Sequence, residues 1–183
     1  MRDRSERRTL KALREGRHEA YADIIDAHYR SVYRFLLFLG RDASLAEDLT
    51  QEVFASAWRA IGGFRGESSI RTWLHRIAYH AFVDVQRRRQ RDQTAGAGLS
   101  DGEGNLAADP LRAILAEEDL AEVSRAMHTL DLDERTILLL HYVEGLSYRE
   151  MAETLGRPDG SLKWITSRAL EKLRRRLAGK VGL

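Results

Sequence analysis

The chain contains no cysteine, which excludes disulfides and thiolate metal sites and fits a reducing compartment. It contains no apolar run approaching the roughly 20 residues that a membrane span needs, so no membrane insertion is expected. The N-terminal stretch MRDRSERRTLKALREG lacks an apolar signal core, and a cytoplasmic protein is expected. No segment alternates apolar and polar residues in the manner of a strand, which leaves an all-α fold. Catalytic patterns are missing too. His75 and His80 stand at a spacing that puts them on different helical faces, with no acidic pair at ligand distance, and neither GGFRG nor GEG completes a phosphate loop. No enzyme activity, cofactor, metal or small-molecule substrate is therefore expected.

What is present is charge, sorted along the chain. The net charge is only +2, yet the 30 Lys and Arg cluster near the N-terminus, in the stretch 71–91 and toward the C-terminus. Local basic patches matter more than that total. In 183 residues there is room for two small helical cores, and a break in composition separates them. The stretch DQTAGAGLSDGEGNLAADP, residues 92–110, is rich in Gly and acid and has little to bury, as expected of a flexible acidic linker. The expected organisation is a first domain over 1–91, the linker, and a second domain over 111–183.

The first domain is organised around two amphipathic helices. Leu45, Leu49, Val53, Ala57 and Ile61 recur every four residues, leaving Glu47, Asp48, Gln51 and Glu52 together on the wet face. In the next helix Ile70, Trp73, Leu74, Ile77, Ala78, Ala81, Phe82 and Val85 follow the i, i+3, i+4, i+7 rule. Its solvent side is expected to carry Arg71, His75, Arg76, Tyr79 and His80, running out into Arg87, Arg88, Arg89 and Arg91. Acid on one helix and base with aromatics on the next point to two different partners. Upstream, Leu10 and Leu13, then Ile24 and Ile25, then Val32, Phe35, Leu36 and Leu39 mark covering helices, with Gly16 and Gly40 as expected ends.

Between Phe64 and Arg91, Trp73, Tyr79 and His80 alternate with arginines beside a Gly-Ser loop, an arrangement suited to stacking unpaired bases while a basic surface tracks the backbone. For Trp73, which also lies on the apolar stripe, core packing competes with stacking.

The second domain begins with a stripe of Leu111, Ile114, Leu115, Leu120, Val123, Met127 and Leu130. Asp131 with Glu134 and Ser147 with Glu150 have capping-box spacing, so helices should start near 132 and 148. The first would bury Ile137, Leu138, Leu140 and Val143, and the second Met151, Ala152 and Leu155. Arg157-Pro158-Asp159-Gly160 is expected as a tight turn, and SLKWITSRALEKLRRRLAG as the last helix. Two short helices joined by such a turn, the second one basic, form a helix-turn-helix. Its second helix would enter the major groove with Ser161, Lys163, Trp164, Ser167 and Arg168, while Lys172, Arg174, Arg175 and Arg176 would meet phosphates.

Taken in order, AEDLTQEVF, FRGESSIRTWLHRIA, the following RRR, YVEGLSYREMAETLG and GSLK make the chain resemble the extracytoplasmic-function sigma factors. These are the minimal two-domain members of the sigma-70 class of bacterial RNA polymerase subunits, and the resemblance covers about residues 10 to 178. It implies that Asp48, Gln51 and Glu52 dock on the clamp helices of core RNA polymerase. It implies that the loop from Gly62 to Ser69, with Phe64, Arg65 and Ser68, and the helix after it, with Arg71, Trp73, Arg76, Tyr79, His80, Arg87 and Arg88, capture and melt the minus-ten element of promoter DNA. The C-terminal helix-turn-helix would read the minus-thirty-five element through Ser161, Lys163, Trp164, Ser167, Arg168 and Lys172, and the linker would thread near the RNA path. An anti-sigma factor is a further expected partner.

The chain departs from the family pattern at particular positions. His80 stands where an Asn is common, Trp164 and Ile165 replace a small polar and a basic residue, Leu170 replaces an arginine, and Asp131 replaces a proline. Two rivals follow from the same residues. A sigma-like decoy would keep the acidic docking face but should lack the 87–91 arginine run, which is present; a simple helix-turn-helix regulator would not explain an acidic docking helix beside a base-stacking loop.

Overall fold

The computed structural model describes residues 4–15, 17–94 and 125–181, all helix and connecting turns with no strand among them. The chain divides into two units, Met1–Gly104 and Asn105–Leu183. Gly16, most of the acidic stretch 92–110 and the apolar residues from Leu111 to Val123 lie outside the described residues.

In the first unit α1 (Arg4–Arg14) packs on α2 (Ala20–Gly40), and α2, α3 (Ala43–Ala60) and α4 (Ile70–Thr94) pack against one another. The starts of α3 and α4 each have a chemical cause. The Asp42 carboxylate accepts from the Leu45 amide at 3.0 Å ahead of α3, and the Ser69 hydroxyl accepts from the Thr72 amide at 3.0 Å ahead of α4. The core is built from Val32, Phe35 and Leu36 of α2, Leu49, Val53 and Ala57 of α3, and Ile70, Leu74, Ala78 and Phe82 of α4. Leu45 and Ile61, at the ends of the α3 stripe, are only half-buried. Ala46, Thr50 and Phe54 are buried instead, with the Thr50 hydroxyl donating to the Ala46 carbonyl at 2.6 Å. The buried arc is wider than one stripe because α3 is flanked by α2 on one side and α4 on the other.

Gly40 ends α2 as expected, although the left-handed conformation falls on the next residue. Gly40 is the last helical residue of α2, and Arg41 takes the left-handed conformation with φ 57°, its amide donating to the Leu37 carbonyl at 2.8 Å. Glycine is needed at position 40 for room: a Cβ there would stand 3.0 Å from Cε2 of Phe82. α4 also continues past the expected domain boundary, taking Asp92 to Thr94 of the acidic stretch into the helix.

In the second unit α5 (Leu132–Leu138) and α6 (Tyr148–Leu155) both start on capping boxes at the expected positions, Asp131 with Glu134 and Ser147 with Glu150. α5 then widens into a π-turn over Leu139–Val143, with the Glu144 amide reaching the Leu139 carbonyl at 2.9 Å. The extra residue in that turn rotates Val143 out of the stripe, so it is 44% exposed where burial was expected. Gly156, with φ 65°, closes α6, and α7 runs over Asp159–Val181. The turn is therefore shorter than Arg157–Gly160. The Pro158 carbonyl accepts from the amides of Ser161 and Leu162, which makes Asp159 and Gly160 the first turn of α7. An acid at that position suits the positive end of the helix dipole. Leu162 and Ala169 of α7 are fully buried, and Ile165 is half-buried.

Since Phe82 is itself 2% exposed and has nowhere to retreat, Gly40→Ala is expected to cost roughly 1–3 kcal/mol by overpacking. Arg41→Gly should be neutral or slightly stabilising, because it relieves a left-handed side-chain residue. Thermal melting of the two variants against the parent tests the pair.

Candidate functional site

α3 presents Glu47, Asp48, Gln51 and Glu52 on one exposed arc, opposite Leu49, Val53 and Ala57. None of these four side chains makes a hydrogen bond or ion pair with another described residue. At the far end of the helix Trp58 is 40% exposed. Its ring is met by His18 at 5.2 Å and Tyr21 at 4.9 Å. Tyr21 anchors α2 to α3 by donating its hydroxyl to the Phe54 carbonyl at 2.7 Å, and burial pushes its pKa up to about 12.

The loop and the surface of α4 separate into packed and open residues. Trp73 is 7% exposed and its ring lies 4.8 Å from that of Phe64, itself half-buried. The competition at Trp73 is resolved toward packing: with one face in the core and the other against Phe64, the indole leaves the stacking surface. His75 also departs from the expected solvent side. It is 1% exposed, its Nδ1 donating to the Arg71 carbonyl at 2.9 Å and its ring edge against Phe35 at 5.1 Å. The same flanking by two helices that widens the buried arc of α3 takes Thr72 and His75 of α4 inside. Arg65, His80, Arg87 and Arg88 are exposed, while Ser68, Arg71, Arg76 and Tyr79 are half-buried. The Tyr79 and His80 rings meet edge to face at 5.7 Å. Arg87 pairs with Asp84 at 3.8 Å, and Arg89 reaches back to Asp42 at 3.9 Å.

On α7, Ser161, Lys163, Trp164, Ser167, Arg168 and Lys172 are all exposed, as expected of a recognition helix, and Trp164 is 62% exposed. Arg168 lays its guanidinium over the Trp164 ring at 5.2 Å. Lys163 pairs with Asp159 at 3.1 Å and sits 5.6 Å from the Tyr148 ring. Arg168 and Lys172 also face inward, a relation that periodicity does not reveal. Glu134, 2% exposed at the start of α5, accepts from Lys172 at 2.6 and 2.7 Å and lies 3.1 Å from Arg168 Nε. Asp131 lies 3.9 Å from both cations. Tyr142 and Val143, turned outward by the π-turn, form an apolar surface that the sequence reading placed partly inside.

Two family descriptions match in chain order: Sigma-70 region 2 over residues 24–92 and Sigma-70, region 4 over residues 120–173. The ECF RNA polymerase sigma factor SigC of Mycobacterium tuberculosis is 36% identical over 164 residues, covering 87% of this chain and 84% of its own. The chain belongs to the extracytoplasmic-function sigma factors. SigX of Bacillus subtilis, of the same type, is 28% identical over 163 residues, with 87% of this chain and 84% of its own covered. In fold the chain is similar to the sigma factor RpoE of Bartonella quintana, solved in complex with the anti-sigma factor NepR, with a TM-score of 0.74 at 24% identity over 86% of this chain and 96% of that one. The matched segments contain the sigma factor's acidic arc, its basic loop-and-helix surface and its helix-turn-helix. None of the described helices is long and apolar enough to cross a membrane.

The division of α4 into packed and open aromatics has a direct test. Trp73→Ala should cost about 3–5 kcal/mol as a core truncation. His80→Ala, at an exposed position, should stay within about 0.5 kcal/mol of the parent in the same denaturant titration.

Proposed function

We propose that this sigma factor docks on core RNA polymerase through Asp48, Gln51 and Glu52, opens the minus-ten element along α4, and engages the minus-thirty-five element with α7. The observation that carries the first step is the α3 arc: acidic and amide groups on one rigid helix, without a partner among the described residues, beside a fully used apolar face. Such groups stay solvated until a basic surface offers charge-assisted bonds.

The second step is supported by what surrounds α4. Arg65, Arg87 and Arg88 supply positive charge for a phosphate backbone, and Tyr79 with His80 supplies ring faces beside it. Trp73 supports that surface from beneath by holding Phe64 and the loop. The chain works by recruitment and binding rather than as an enzyme, and its place of action is the cytoplasm, where its polymerase works. An anti-sigma factor, the kind of partner seen with the Bartonella relative, is proposed as its regulator.

Asp48→Ala combined with Gln51→Ala should weaken binding to core polymerase while leaving the melting curve unchanged, since exposed changes are usually worth under about 0.5 kcal/mol. Titration of labelled protein with core enzyme reads the affinity. Run-off transcription on genomic fragments, with and without the protein, reads the activity, and unaltered core affinity in the double variant removes the α3 assignment.

A further inference from the structure

A buried carboxylate needs partners, because leaving a charge unpaired in a low-dielectric interior is strongly unfavourable. Glu134 is 2% exposed, caps its own helix through the Asp131 amide, and draws both Arg168 and Lys172 of α7. Those two cations are one turn apart on α7, so α5 holds the recognition helix at two adjacent points along its length. Asp131 adds a second acid against the same pair. Arg168 is further confined by Trp164, which stacks on its guanidinium.

We propose that Glu134 is a positioning residue for promoter recognition: it withdraws Arg168 and Lys172 from the DNA backbone, sets the rotation of α7, and presents Trp164 to the base edges. This rests on the reading of α7 as the minus-thirty-five recognition helix. It assigns the two cations differently from a simple count of basic residues, in which each would be a phosphate contact. Specific reading falls to Ser161, Trp164 and Ser167, with the indole able to meet a thymine methyl. Phosphate attraction falls to Arg174 and Arg176, which are exposed and have no ion-pair partner among the described residues.

The test uses holoenzyme reconstituted from core polymerase and the full chain, with duplex DNA selected by the parent holoenzyme from a random pool and the same duplex with its minus-thirty-five element scrambled. Glu134→Gln preserves the capping geometry, which accepts Gln as well as Glu, but removes the charge that holds the cations. It is expected to steepen the salt dependence on both duplexes by up to about 0.9 per released cation, so that affinity falls roughly tenfold more between ~50 and ~200 mM salt. The ratio of affinities for selected over scrambled duplex should fall at the same time. A residue that served stability alone would lower the melting temperature without steepening the slope. Lys172→Gln provides the second reading. It should leave the salt slope as in the parent while lowering discrimination, whereas Arg174→Gln should flatten the slope by about 0.9. A flatter slope in Lys172→Gln, or an unchanged slope and ratio in Glu134→Gln, overturns the proposal. If the parent holoenzyme itself selects no sequence, the reading of α7 fails along with it; if the parent selects and only the variants disobey, the failure belongs to Glu134 alone.

Discussion

The exposed acidic arc of this sigma factor exists because α3 is used on both flanks at once. Packing against α2 and α4 consumes Ala46, Leu49, Thr50, Val53, Phe54 and Ala57, so the rotational setting of the helix is determined by burial alone. Glu47, Asp48, Gln51 and Glu52 are what the remaining arc contains. No described residue draws them toward a local cation, so the helix backbone alone fixes the points from which these solvated side chains extend. Tyr21 reinforces the setting by pinning α2 to the α3 backbone with a buried hydroxyl.

The second unit solves the same problem by different means. Two of its helices are short, with α5 and α6 spanning 7 and 8 residues, and short helices are marginal without packing and caps. Two capping boxes satisfy their first amides, and Leu162, Ala169, Ile137 and Met151 supply the apolar contact. Apolar packing alone would permit small rotations of α7. The Glu134 carboxylate, paired with two cations on α7, imposes direction as well as attraction on that helix.

Much of this was legible in the residue order. The α3 and α4 stripes, both capping boxes and the outward set on α7 depend on local periodicity and local hydrogen bonding, which sequence displays directly. The misses share a cause in tertiary context. His75 is polar by type and was expected on the solvent side, yet a helix flanked by two others buries more than one stripe and takes His75 inside together with Thr72. Gly40 ends α2 as expected, but the reason a glycine is needed there, the ring of Phe82 forty-odd residues away in sequence, has no local signal. The π-turn that expels Val143 leaves no periodic signal, because one inserted residue looks like an ordinary apolar run. Glu134 was visible as a cap, but its bond to Lys172 spans 38 positions and no local rule anticipates it.

Charge counting misleads most at α7, and the ion pairs explain how. Lys163 is answered by Asp159, Arg168 and Lys172 by Glu134, and Arg175 by Glu171. Exposed pairs such as Lys163 with Asp159 are worth little, about 0–1 kcal/mol, and give way readily when a phosphate approaches. The pairs to Glu134 differ because releasing them strands a buried carboxylate. The helix is thereby divided along its length, with cations tied inward near its middle and Arg174 and Arg176 exposed toward its end. On the proposed reading of α7, attraction to backbone and reading of bases reside on different residues, so promoter preference would be altered at Trp164 without altering the electrostatic affinity that brings the helix to DNA.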